Sequence, residues 1–169
     1  MSLVTISNGT EQQAVEDTQL EFYPDWTVVA QGAPLGNFSV LVNGAWDDLP
    51  ELKNRAWEQV KAIRAQKETG TAPTPVGVVQ IDEASKSKIM GALALCKLLE
   101  ETQQPFAMNF TLADNTRVAL NNTTVRQLAG AAGQYVGKVY DYSWTLRDSI
   151  NAAADAATLN AIDLNAGWP

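Results

Sequence analysis

The sequence contains no histidine and one cysteine, Cys96. The missing histidine removes Ser-His and Cys-His nucleophile pairs, imidazole metal ligands and the commonest general base. A lone cysteine excludes an intrachain disulfide and a thiolate metal cluster. Standing in an apolar helical run, Cys96 reads as a buried structural thiol. Basic residues are few: 12 against 19 acidic ones, a net charge of −7, with Lys53/Arg55 and Lys86/Lys88 the most closely spaced pairs. A nucleic-acid footprint needs clustered lysine and arginine, so no nucleic-acid partner is expected. No stretch approaches 18 apolar residues, so no membrane span is expected. The opening Met1 to Ser7 has neither a basic start nor a long apolar core, and a secretory signal is not expected. The glycosylation-like triplets at Asn8, Asn37, Asn109, Asn121 and Asn122 are then chance matches. Calcium-loop and phosphate-loop glycine patterns are also absent.

Carboxylates are what remains for catalysis, and local roles account for them. Asp47, Asp48 and Glu51 cluster at a helix start, as do Asp82 and Glu83, where capping explains them. Glu100 and Glu101 are adjacent and point apart on a helix, so they cannot flank one bond. Asp141 and Asp148 lie two turns apart, with Arg147 nearby for pairing. The expectation is a protein that is not an enzyme, with no catalytic, cofactor-binding or metal-ligating residues and no cofactor.

What the chain does have is helical periodicity. From Asn121 to Ala154 apolar residues fall at Val125, Leu128, Ala132, Val136, Val139, Leu146, Ile150 and Ala153, steps of three, four or seven. Asn121, Asn122, Thr123 and Thr124 offer N-caps. A helix of about 32 residues here would run roughly 48 Å at 1.5 Å per residue, a spine for so small a chain. Gln127, Gln134, Lys138, Asp141 and Thr145 form one polar arc. Gly130, Gly133, Gly137, Tyr140 and Trp144 form another stripe, roughly opposite the apolar one. Each mid-helix glycine costs about 1 kcal/mol relative to alanine, so the three ask for a reason. Either another backbone approaches closely, from this chain or a second copy, or the first helix of the same chain lies there. These five residues are the candidate interface. The Gly133/Gly137 spacing signals membrane dimerisation only inside an apolar span, which this is not.

The remaining elements follow in order. Residues 1–46 read as a β-rich segment, with strands near Leu3–Thr5, Trp26–Ala30 and Phe38–Val42, and tight turns at Asn8-Gly9 and Asn43-Gly44. A first helix is predicted from Asp48 to Lys67, burying Leu49, Leu52, Ala56, Trp57, Val60 and Ile63. Gly70, Pro73, Pro75 and Gly77 break it, and Val78–Ile81 reads as briefly extended. Asp82 caps a second helix running to about Thr102. Phe106–Leu112 and Arg117–Leu120 flank the turn Ala113-Asp-Asn-Thr as a hairpin. Asp155 caps a last short helix. The fold class is α+β: a β-rich N-terminal segment (1–46), then a mainly helical domain (47–169) of three helices with one inserted β-hairpin.

Several of these pieces together resemble a known family. They are Trp57-x-x-Val-Lys-x-x-Arg64, Ile81-Asp-x-x-Ser-x-x-Lys-Ile89, the hairpin Phe110–Asn121, Leu146-Arg-x-x-Ile-x-x-Ala153, and the closing Leu159-x-x-Ile-Asp-x-x-x-Gly-Trp-Pro169. The chain resembles, over about Trp46 to Pro169, the domain of unknown function that recurs in short tailed-bacteriophage proteins near tail-fibre or baseplate genes. Where members often carry a tryptophan in the first hairpin strand, this chain has Asn109-Phe110. The resemblance implies a virion or tail-associated structural role, assembled in the bacterial host cytoplasm, with other tail or baseplate proteins as partners and a possible homo-oligomer. It supplies no catalytic residues. A fibre-assembly chaperone that leaves the finished particle is the alternative.

Overall fold

The structure, a computed structural model, describes residues 3–7, 12–31, 40–42 and 45–169. The turns at Asn8-Gly9 and Asn43-Gly44, and the Phe38 and Ser39 start of the third strand, lie outside the described residues. The architecture is the α+β arrangement expected: a β-rich N-terminal segment, then three long helices with small hairpins. Two compact units are present. One comprises Met1–Glu58 and Ser149–Asp163, the other Gln59–Asp148 and Leu164–Pro169.

In the first unit, β1 (Leu3–Ser7), β2 (Gln12–Glu16), β3 (Thr27–Gln31), β4 (Val40–Val42) and β5 (Ala45–Asp47) form one sheet in the order β2-β1-β3-β5-β4. β1 pairs antiparallel with both β2 and β3, and β3 meets β5 in parallel. A 3-10 helix, Asp17–Phe22, follows β2. One buried cluster of the sheet comprises Val4, Ile6 and Val15, with Leu20, Tyr23 and Trp26 against it. Tyr23 and Trp26 meet edge to face at 5.8 Å. Helix α1 (Leu49–Thr69) begins where Asp47 Oδ1 accepts the Leu49 N–H at 3.0 Å. Glu51 is buried in its first turn and paired with Arg55 at 2.8 Å. The Lys53 ammonium donates to the Asn151 carbonyl oxygen at 2.8 Å.

The second unit is built on polar caps and one apolar core. After α1, the Pro- and Gly-rich break is a hairpin of β6 (Thr71–Thr74) and β7 (Gly77–Gln80). Gly77 sits at φ +128°, a conformation side chains rarely adopt, and its added Cβ would fall 2.5 Å from the Leu112 side chain. Asp82 caps α2 (Glu83–Glu101), accepting from the Ser85 N–H at 3.0 Å and the Ser85 hydroxyl at 2.8 Å. These bonds favour the charged carboxylate and lower its pKa. β8 (Met108–Thr111) and β9 (Arg117–Leu120) make the predicted hairpin. Helix α3 (Asn122–Ala152) follows at once, and a short α4 (Ala156–Asn160) closes the regular structure in the first unit. Core side chains come from both hairpins and from α2 and α3: Val79, Ile81, Cys96, Phe106, Leu120 and Leu128 among them.

Candidate functional site

The N-terminus of α3 is fixed by a reciprocal cap. Asn121 Oδ1 accepts from the N–H groups of Thr123 and Thr124, each at 3.0 Å, and the Thr124 hydroxyl accepts from the Asn121 N–H at 2.8 Å. One turn later the helix is tied to the end of α2. Asn122 donates to Glu100 at 2.8 Å, and Arg126 pairs with the other oxygen of the same carboxylate. With its start held this way, the helix turns one face inward. Val125, Leu128, Ala132, Val139, Leu146, Ile150 and Ala153 are buried, and Val136 half-buried. Ser143 is fully buried too, its hydroxyl satisfied by the Tyr140 carbonyl oxygen at 2.7 Å.

The predicted stripe lies on the exposed face. Gly130, Gly133 and Gly137 are exposed, and a Cβ built on any of them would meet nothing within 4 Å. Tyr140 is 39% and Trp144 49% exposed. The polar arc of Gln127, Gln134, Lys138, Asp141 and Thr145 is also exposed, beside the stripe. Helix α1 reaches the stripe at Tyr140. There the Arg64 guanidinium stands 4.9 Å from the ring centroid. The Glu68 carboxylate, as hydrogen-bond partner and then as a charge, raises the phenol's pKa above its ordinary 10.0. Trp144 is stacked by Arg147 of its own helix at 5.1 Å. Thus five residues share a face: the three glycines are open, Tyr140 is anchored to α1, and Trp144 is braced by its own next turn.

Next to the stripe an apolar groove of about 300 Å³ runs between α2 and α3. Ile89, Met90, Ala129, Ala132, Gly133 and Val136 line it, with Lys86 at its margin. Met90 is 59% exposed, and Leu98, two turns further along α2, is exposed as well. Reading α2 for its buried face alone misses these residues. Their signal was available: Met90, Ala94 and Leu98 recur every four residues, off the line of Ile89, Ala92 and Cys96.

The other sequence candidates fall into local roles. Asp155 caps α4 through the Thr158 N–H at 2.7 Å, which lowers its pKa. Glu83 pairs with Lys86 at 2.9 Å. Among the described residues no cluster of three histidine, cysteine, aspartate or glutamate side chains could hold a metal ion. No helix among them is long and apolar enough to cross a membrane.

Residues 51–166 match the profile of a family described as a domain of unknown function, DUF4376. No curated protein and no solved structure matches the chain.

Proposed function

The chain belongs to the DUF4376 family, and on that premise we propose that it is a structural protein acting by protein–protein interaction: a tail-fibre or baseplate-associated adaptor of a bacteriophage virion. Its partners are other tail or baseplate proteins, with a second copy of itself among them, and it is assembled in the host cytoplasm and kept in the tail. The observation that supports an interaction role is the α3 stripe. Three exposed glycines lead to half-exposed Tyr140 and Trp144, beside the α2–α3 groove. Glycines weaken an exposed helix by about 1 kcal/mol each, a cost with a use where another backbone must come close. Tyrosine and tryptophan are the residues that most often anchor interfaces.

Gly133→Leu tests this reading. The added side chain enters open space, so the isolated chain keeps its helix content and melts no lower than the wild type. In purified particles, quantified by mass spectrometry, the wild type is present at fixed copy number and the variant is lost. A wild-type chain absent from particles would point to the assembly chaperone instead. A variant incorporated like the wild type would remove the stripe from the interface.

A further inference from the structure

A second cleft, of about 400 Å³, opens between Gln80 at the end of β7, Lys88 on α2, and residues 108–112 of the hairpin. Its wall takes in the whole of β8, four residues long, so the cleft follows the strand from end to end.

The hairpin's turn decides which backbone groups face outward. The Leu112 carbonyl oxygen accepts from the Asn115 N–H at 3.0 Å, and the Leu112 N–H donates to the Thr116 carbonyl oxygen at 2.9 Å. Asn115 sits at φ 65°, so this is a three-residue turn closed by a left-handed bulge residue. Leu112 and Thr116 therefore form a hydrogen-bonded pair, and such pairs alternate along an antiparallel ladder. In the observed register Phe110 opposite Val118 is the next hydrogen-bonded pair, while Asn109 opposite Ala119 and Thr111 opposite Arg117 are not. Asn109 and Thr111 thus turn their N–H and C=O groups away from β9. No other strand is hydrogen-bonded to that edge among the described residues. The link of the Ala113 N–H to the Val78 carbonyl oxygen, at 2.9 Å, falls beyond the strand's end and leaves both residues open.

Free edges are usually guarded by shortness, charge, proline or a bulge within the strand, and β8 is short, at four residues. Met108-Asn-Phe-Thr111 carries no charge, no proline and no register shift. The cleft's sole charged lining residue is Lys88. Its ammonium makes no hydrogen bond or ion pair with another group among the described residues. The Asp82 carboxylate at the start of α2 has both oxygens engaged by Ser85.

We propose that this cleft binds an extended acidic peptide segment of a partner protein, which adds as a strand to the free edge of β8 and sets its carboxylate on Lys88. The edge supplies alternating donors and acceptors in the repeat of a strand, and strand addition draws affinity from those main-chain bonds. Lys88 then selects for acid. The cleft is separate from the α3 stripe, and the inference holds or falls independently of it.

The test is an NMR titration of the full-length chain, labelled with nitrogen-15. The probe is a mixture of acetylated, amidated tetrapeptides of alanine, valine and threonine ending in glutamate. Binding is expected at about millimolar strength, with the amide signals of Asn109 and Thr111 moving most. Lys88→Ala, an exposed-site change, should weaken it about tenfold, the scale of one hydrogen bond to a charged group. Peptides N-methylated at the two central amides should not bind. Signals unmoved by the mixture at about 10 mM would overturn the proposal. So would N-methylated peptides that bind equally, or glutarate alone producing the same shifts, which would mark a simple anion site.

Discussion

Glu100 shows how one residue can hold two helices and make the fold sensitive to acid. Its carboxylate takes the Asn122 amide at 2.8 Å and the Arg126 guanidinium, joining the last turn of α2 to the first of α3. The Arg126 bond first, then Asn122, push its pKa below the ordinary 4.5. A carboxyl whose pKa is lowered on folding adds stability that is present above its unfolded value and lost as pH falls through the folded one. Stability should therefore decline below pH 4.5. In Glu100→Gln that decline should be shallower, with a lower stability at neutral pH. Asp82, Asp114 and Asp155 are lowered in the same direction by their own hydrogen bonds and keep the slope above zero. Urea midpoints between pH 2 and 7, roughly the range in which carboxylates titrate, decide it. The change should be small, because the Arg126 side chain is 46% exposed. Superimposable profiles for the two proteins would mean that the bridge contributes nothing.

The same scale shows what spacing can and cannot carry. Gly130, Gly133, Gly137, Tyr140 and Trp144 were legible as one face because helical geometry is fixed by the backbone. Which wall stands opposite them was not, since that depends on where α1 runs. The answer is divided: open space at the glycines, and Arg64 and Glu68 at Tyr140.

At the scale of elements, side-chain hydrogen bonds hold the chain's end. Tyr142 donates to the Ala166 carbonyl oxygen at 2.7 Å, Tyr135 to that of Pro169 at 3.1 Å, and the Trp168 indole N–H to that of Leu164 at 2.9 Å. The Trp168 ring meets Tyr142 edge to face at 5.1 Å. Gly167 turns there at φ +82°, and a Cβ on it would lie 2.4 Å from the Tyr142 hydroxyl. Deleting Gly167 to Pro169 should lower the melting temperature by several degrees, on the scale of about 1–3 kcal/mol for lost packing and hydrogen bonds. An unchanged melting temperature would show that the tail adds nothing to this unit and is held for a partner.

Elements whose ends carry a chemical signal were readable in advance. Asp82 and Asp155 cap the helices expected of them, and the Ala113-Asp-Asn turn closes its hairpin. The β6–β7 hairpin was not, because Pro73 reads as a breaker. The ladder tolerates it: Val78, opposite Pro73, gives its carbonyl oxygen to Ala113 on the far side, so this pair needs no proline N–H. β2 was missed for a different reason. Gln12-Gln-Ala-Val-Glu16 buries only Val15, so no alternation marks it.

For the molecule as a whole, fold class follows from apolar periodicity, whereas function rests on surfaces whose partners leave no signature in one chain. The division of the chain can be tested directly. The core from Ala72 to Ala132 lies entirely within residues 47–169, as does the bond from Lys53 to Asn151. In the N-terminal segment Leu3, Phe22, Val28 and Val40 are exposed, Phe22 at 72%. Limited proteolysis should therefore remove the first 46 or so residues and leave a fragment beginning near Trp46. The unit containing the sheet also includes the start of α1 and residues Ser149–Asp163, so the fragment should melt cooperatively but a few degrees below the full chain. Helical circular dichroism lost together with the N-terminal segment would show that the chain folds as one piece and would sink the division at residue 46.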